Sequence, residues 1–562
     1  MMKKYFAILL TGLLLSSISG FSCTNFIVTK GASTDGSVMV SYAADSHLLY
    51  GELYHWPAKK YPKGTMMKVF EWDTGKLLGQ IPQVEETYNV VGNVNEFQVA
   101  IGETTYGGRD ELRDTTGIMD YGSLIYIALQ RSKSAREAIM IITTLMDEYG
   151  YYSSGESFSV CDKNEAWILE LIGKGPGNTG AVWVAMLIPD GYVCAHANQA
   201  RITTFDYQKK NDWYNKDQVV FNSKDVISFA REMGYFDGKD EDFSFSDTYA
   251  PVGFGGARFC EIRVWAFFNE ITDGMDKYWD YCKGHIEHGE NGYATNRMPL
   301  WIKPNKKISQ KDIFKYMGDH LEGTELDMTK DIGAGPFGNP YRWRPLTWEV
   351  DGVTYCNERA TGTQQTGFSF VAQLRSYLPD YIGAINWFSV DDAASTVYVP
   401  MYASITEIPK PFAHGNGSLM EFTMESAFWV FNMVSNFAYT RYSMIHPEIA
   451  KVQNELHDKF IGDVAELDKK MLETYKSDPA KVQKMINDFS NEAAVLTHKK
   501  WTELYAYLFT KYMDGNVKTP TEVPAGYKYY APELEQPGYG EEWYNRIADD
   551  TGEKLKVIGS AH

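Results

Sequence analysis

Apolar residues fall in short runs along most of this chain and in helical spacing near its end, and that change of period divides it. The first apolar stretch, residues 5–15, follows Lys3 and Lys4 and is too short to cross a bilayer. Phe26-Ile27-Val28 and Val38-Met39-Val40 predict the arms of a hydrophobic hairpin that turns over residues 31–37. Residues 81–105 read as strand ending in the polar cluster Glu103-Thr104-Thr105. Helical spacing follows over 121–130, and again behind Ser134, where Ala135, Ala138, Ile139, Ile142 and Leu145 share a face. Residues 158–197 carry consecutive strand patterns. Gly173-Lys174-Gly175-Pro176-Gly177 among them is a hairpin turn, because a phosphate-binding loop needs a helix after it. Helices are predicted at 225–233 and 257–268, a Gly/Pro-rich surface loop at 333–340, and further strands at 367–372, 382–388 and 396–400. From residue 422 the pattern turns helical, over 426–437, 449–472 and 480–508, before a tail rich in Pro, Gly and Tyr.

Composition adds limits. With 44% hydrophobic and 23% charged residues the chain has the balance of a folded protein, and 562 residues predict one large core with appendages, or two units. The formal net charge of -19 becomes -21 if residues 1–22 are removed with their two lysines. An acidic surface of that size argues against nucleic acid or an anionic membrane as partner. Six cysteines include no close pair of metal-ligand type, and Cys161 and Cys194 are expected as buried free thiols on strands. His285 and His288 stand three apart with no third ligand in view, which favours a polar loop over a zinc site. No metal or organic cofactor is expected.

Candidate chemistry centres on Cys23. Gly20 and Ser22 are small residues at the third and first positions before it, the pattern a leader peptidase reads, so residues 1–22 are expected to be a signal peptide. The product is then exported, to the periplasm or outside the cell, with no membrane span. A chain beginning at Cys23 has a free α-amine beside its own thiol, which puts nucleophile and base in one residue. The two groups titrate near ~7.7–8.0 and ~8.5, so proton transfer between them is nearly isoenergetic. Asn198 stands where a strand ends, a place from which an amide can donate to a developing oxyanion. A surface-binding lipoprotein acylated at Cys23 is the competing reading. The 14% aromatic content suits it, whereas Gly20 and Phe21 fit a lipoprotein signal poorly.

A series of short stretches also carries a resemblance: Cys23-Thr24, Thr34-Asp35-Gly36-Ser37, Asp45-Ser46, Asn95-Glu96 with Glu103-Thr104-Thr105, Trp183-Val184-Ala185, His196-Ala197-Asn198-Gln199, Arg263-Val264-Trp265, residues 297–301 and residues 374–379. In this order they resemble the exported or autoprocessed dipeptidases of the N-terminal nucleophile hydrolases, a group that also contains conjugated bile acid hydrolases and penicillin V acylases. The resemblance runs from Cys23 to about residue 400. It implies an α+β fold, a four-layer αββα sandwich over residues 23–415 with a helical C-terminal extension and tail over 416–562. It also implies hydrolysis of dipeptides. Cys23 is the implied nucleophile, Asp45 the carboxylate that holds it, Asn198 and Asn95 the oxyanion-hole partners, and Arg263 or Arg258 the arginine beside it. One departure stands out: the arginine usual three residues before the aspartate is Tyr42 here. Another amidase of the same fold, cleaving N-acyl amino acids or penicillin-type and bile-acid-type amides, would share this set. Oligomerisation is left open.

Overall fold

The two hairpin arms pair at the centre of a seven-stranded antiparallel sheet. In the computed structural model, which describes residues 23–559, Asn25–Val28 lies between Val193–His196 and Val38–Asp45. The order across the sheet is Trp301–Ile302, Val193–His196, Asn25–Val28, Val38–Asp45, Thr366–Leu374, Ala384–Val390 and Val399–Tyr402. Every residue of Val38–Asp45 and Thr366–Leu374 is buried. Both faces of these strands are covered, which is why they run apolar or small instead of alternating. The predicted signal peptide, residues 1–22, lies outside the described residues.

A second sheet holds eight strands in the order Val220–Asn222, Ala181–Leu187, Ala166–Gly173, Gly155–Asp162, Val99–Tyr106, Val94–Asn95, Val90–Val91 and His55–Trp56. Side chains join it to the first sheet. Asn25 donates to the backbone carbonyl of Glu103. The His196 ring sits between the hydroxyls of Thr104 and Ser159, 2.7 Å from each. Burial pushes the pKa of His196 down to about 3, so this ring is neutral and links the two sheets. Ile101, Phe158, Val160, Trp167 and Leu169 pack instead with Leu124, Ile127, Ile139 and Ile142 of helices Tyr121–Leu129 and Ala135–Tyr149. Asp120 and Ser134 cap these helices, each accepting from a backbone N–H of the first turn.

Helices Tyr442–Tyr475 and Pro479–Tyr512 cover the Val399–Tyr402 edge of the first sheet, and Ala427–Ala438 packs beside them against Ala384–Val390. His457 and Ser490 accept the backbone N–H groups of Tyr398 and Tyr402, so helix side chains satisfy donors that an edge would leave open. Asp468 pairs with buried Arg375 and accepts from the Tyr402 hydroxyl at 2.9 Å. The chain is therefore of mixed α+β class.

Several expectations shift. A turn of π-helix, Gly256–Glu261, precedes α-helix Ile262–Ile271 where one helix over 257–268 was predicted. The second long helix begins at Tyr442 and runs through Pro447. The tail contains a ribbon, Val517–Thr519 with Glu533–Glu535, and helix Glu541–Thr551. That helix buries no residue. All six cysteines are free, with Cys161 and Cys194 buried on strands. Among the described residues no helix is long and apolar enough to cross a membrane.

Candidate active site

Three strand ends meet at Cys23, and antiparallel pairing puts them there. Thr24, just ahead of Asn25–Val28, bridges to Ala43 near the end of Val38–Asp45. Asn25 is in register with His196, the last residue of Val193–His196, so the chain leaving that strand passes the same place. Asp45 closes its strand opposite Thr366, whose hydroxyl donates to the Asp45 carboxylate at 2.7 Å. The second sheet contributes Glu103, in the middle of Val99–Tyr106.

The Cys23 thiol is buried, 3.4 Å from Oε1 of Glu103 and 3.7 Å from the Tyr42 hydroxyl. Tyr42 also donates to the same Glu103 oxygen. Burial pushes the thiol pKa well up, and the charges of Glu103 and Asp45 push it further. The backbone N–H of Asp45 and the Tyr42 hydroxyl work the other way. With Cys23 inside a peptide bond, the thiol stays protonated. Burial likewise raises Asp45 to about 7, against the pull of Arg359, Thr366, Arg263 and Arg344. Glu103 is raised by burial too, and Glu156 beside it more strongly still.

Arg263 ties the site together from the first turn of Ile262–Ile271, directly after the π-helical turn. One end of its guanidinium donates to the Cys23 carbonyl at 2.7 Å and to the Thr24 hydroxyl at 2.8 Å. The other end donates to the Ala197 carbonyl and, at 2.9 Å, to the Asn198 side-chain oxygen. Asn198 holds a left-handed backbone, φ 62°, and its amide donates to the Thr105 carbonyl at 2.6 Å. Since an amide nitrogen carries two hydrogens, one remains for another acceptor.

The other candidates lie elsewhere in the bonding pattern. Arg258 does not reach Cys23; it pairs with Glu358 and donates to the Lys283 carbonyl. Asn95 spends its amide on the carbonyls of Leu129 and Ser132, and its side-chain oxygen accepts from the N–H groups of Phe97 and Val99. His285 and His288 sit in a loop bridged from His288 to Ala294. Sequence reasoning gave no role to Glu103, and noted Tyr42 only as a departure. The signal for Glu103 was present: a carboxylate within an apolar strand is expensive to bury and marks a site more often than a core. Tyr42 also borders a pocket walled by Tyr54, Trp56, Trp72, Tyr121 and Phe368.

Comparison with known proteins agrees with a peptidase site. The family model described as Peptidase family C69 matches residues 22–455. A probable dipeptidase of Salmonella dublin is 24% identical, over 71% of this chain and 85% of its own length. A probable dipeptidase A of Streptococcus pyogenes serotype M1 is also 24% identical, over 76% of this chain and 84% of its own length. A dipeptidase of Bifidobacterium longum is 22% identical, over 74% and 76% respectively.

Proposed function

The chain belongs to peptidase family C69, and from that premise we propose that it is an exported dipeptidase whose nucleophile is Cys23 once that residue is the first. The observation that carries the reading is the grip of Arg263 on both the Cys23 carbonyl and Asn198. One cation fixes the reacting residue and a donor beside it in a single geometry. The relatives' names supply the substrate class, a dipeptide. The scaffold we propose is the four-layer αββα sandwich of N-terminal nucleophile hydrolases. It is supported by two antiparallel sheets joined through Asn25 and His196.

Removal of residues 1–22 changes the electrostatics at the thiol. In the longer chain, burial and two carboxylates oppose a thiolate, and the nucleophile is latent. Cleavage creates an α-amine next to the thiol. That amine takes the thiol proton, and the resulting ammonium is stabilised by Asp45 and Glu103. The thiolate attacks the peptide carbonyl, the free amide hydrogen of Asn198 stabilises the oxyanion, and the ammonium protonates the departing amine. Water, deprotonated by the same α-amine, then cleaves the thioester.

Two measurements test this. Mass analysis of the purified protein should find an unmodified chain starting at Cys23, and that protein should hydrolyse dipeptides until iodoacetamide is added. An acylated Cys23 would identify a lipoprotein instead. Turnover of N-acyl amino acids without turnover of dipeptides would make the protein a different amidase.

A further inference from the structure

A second group of side chains beside Asp45 is built to receive an anion, and the mechanism above does not use it. Arg359 lies in a connection whose two ends are tied down. Its neighbour Glu358 pairs with Arg258, and a few residues later the Gln365 carbonyl accepts the Ser46 N–H at 2.9 Å and Thr366 donates to Asp45. The Nε and Nη2 atoms of Arg359 are buried and have no hydrogen-bond partner among the described residues. These two nitrogens form the side-on fork of a guanidinium, whose parallel N–H groups match the two oxygens of a carboxylate. The same short segment contains two more buried polar atoms without a partner among the described residues, Thr361 Oγ1 and Gln365 Nε2. Gln365 is oriented by Arg344, which donates to its side-chain oxygen. Arg344 and Arg359 both line one pocket.

An arginine whose buried fork is unpartnered is costly, and its surroundings make the cost plain. Burial first, then the neighbouring Arg263, push the Arg359 pKa down to about 9, so it remains charged at neutral pH while lacking a counter-ion in contact. Asp45 is the nearby carboxylate that pulls the other way, yet Thr366 is its side-chain partner. The segment that carries Arg359 is joined to the chemistry through Asp45, which accepts from Thr366 at its end. Asp45 is a charge neighbour of the Cys23 thiol on one side and of Arg359 and Arg344 on the other. In a dipeptide, the terminal carboxylate is only about one residue, ~3.8 Å, beyond the scissile carbonyl. A longer peptide would bring a neutral amide to that place instead.

We infer that Arg359, supported by Arg344 and Gln365, is the subsite that takes the C-terminal carboxylate of the substrate and so limits it to one residue beyond the cleaved bond. This rests on the dipeptidase reading, and it adds the residue that measures the substrate's length. Leaving the fork unpaired against a neutral amide should cost roughly 10–100-fold in affinity.

The experiment separates the subsite from the dipeptidase reading by measuring binding and turnover independently. A dipeptide and its C-terminal amide are titrated calorimetrically into Cys23→Ser protein, with and without Arg359→Met. The expected result is a 10–100-fold preference for the free acid that Arg359→Met abolishes. Equal binding of acid and amide with Arg359 intact, or a preference that survives Arg359→Met, overturns the inference. If Arg359→Met does not fold, Arg359→Lys serves, since it keeps the charge without the fork and should lose most of the preference; retention in full overturns it. Turnover by unaltered protein is followed separately. Absence of dipeptide hydrolysis together with a clear preference for the acid would defeat the dipeptidase reading and leave the carboxylate subsite standing.

Discussion

The Cys23 thiol and the Glu103 carboxylate, from opposite sheets, lie 3.4 Å apart. A carboxylate so close to a nucleophile works against its ionisation, second only to burial in raising the thiol pKa. The same Glu103 oxygen also accepts from the Tyr42 hydroxyl. On the proposed mechanism, the α-ammonium formed at Cys23 would offset this negative charge and make the thiolate accessible.

Replacing Glu103 by Gln should therefore move the pH profile of Cys23 alkylation to lower pH. Glutamine keeps the shape and removes the negative charge that raises the thiol. Rates of iodoacetamide modification across pH 6 to 10, with the site of modification read by peptide mass mapping, give the answer. A profile that moves to higher pH would mean that Glu103 acts mainly as a donor in its protonated form.

Asn198→Ala should lower kcat by roughly 10²–10³ with little change in KM, the cost of removing one oxyanion donor. Because Asn198 has φ 62°, Asn198→Gly is the companion variant that relieves the backbone while still lacking the amide. Both should fall together in steady-state assays. Recovery of kcat in the glycine variant alone would trace the loss to backbone strain instead.

Stability should carry a pH signature from Asp391. Burial, then the charge of Asp392, raise its pKa to about 7, against donors from Ser435 at 2.6 Å and Asn432 at 2.9 Å. An unfolded aspartate titrates near ~3.9, so the folded state holds this proton more tightly. Its contribution is fully present below ~3.9 and lost as pH rises through about 7. Compared with Asp391→Asn, the unaltered protein should lose on the order of 2–4 kcal/mol between pH 4 and 8. Denaturant melts at several pH values measure this, and a difference that stays constant or grows with pH counts against it.

Trp501→Ala should destabilise the whole molecule by about 3–5 kcal/mol, the usual cost of emptying a buried aromatic site. Trp501 is fully buried in helix Pro479–Tyr512 and stacks on Phe431 with ring centroids 4.9 Å apart. The same helix meets the edge strand Val399–Tyr402 through Ser490. Loss of the C-terminal helices alone, with the rest of the chain melting as before, would make them an independent unit. Hydrogen exchange followed by mass spectrometry distinguishes the two.

The sequence by itself determined the elements whose pattern is local. The hairpin around Cys23, the capped helix behind Ser134, the run of strands over 158–197 and the long C-terminal helices all follow from the spacing of apolar residues and the chemistry of turns and caps. That Cys23, Asp45 and Asn198 belong together was implied only by the family resemblance; pairing of Asn25–Val28 with Val193–His196 and Val38–Asp45 brings them to one end of a sheet. What only the tertiary structure decided is which side chains oppose one another across layers. Glu103 reaches Cys23 from 80 residues away and Arg263 from 240, and no local period records either contact. Asn95 and Asn198 look alike as asparagines near strand ends. One saturates its own turn, and the other keeps an amide hydrogen and is joined to Cys23 through Arg263. Arg359 is the extreme case, a charge in a connection without regular structure, whose meaning lies in two unpartnered nitrogens that only packing could bury. Periodicity encodes which face of an element is buried; it does not encode what the buried face will meet.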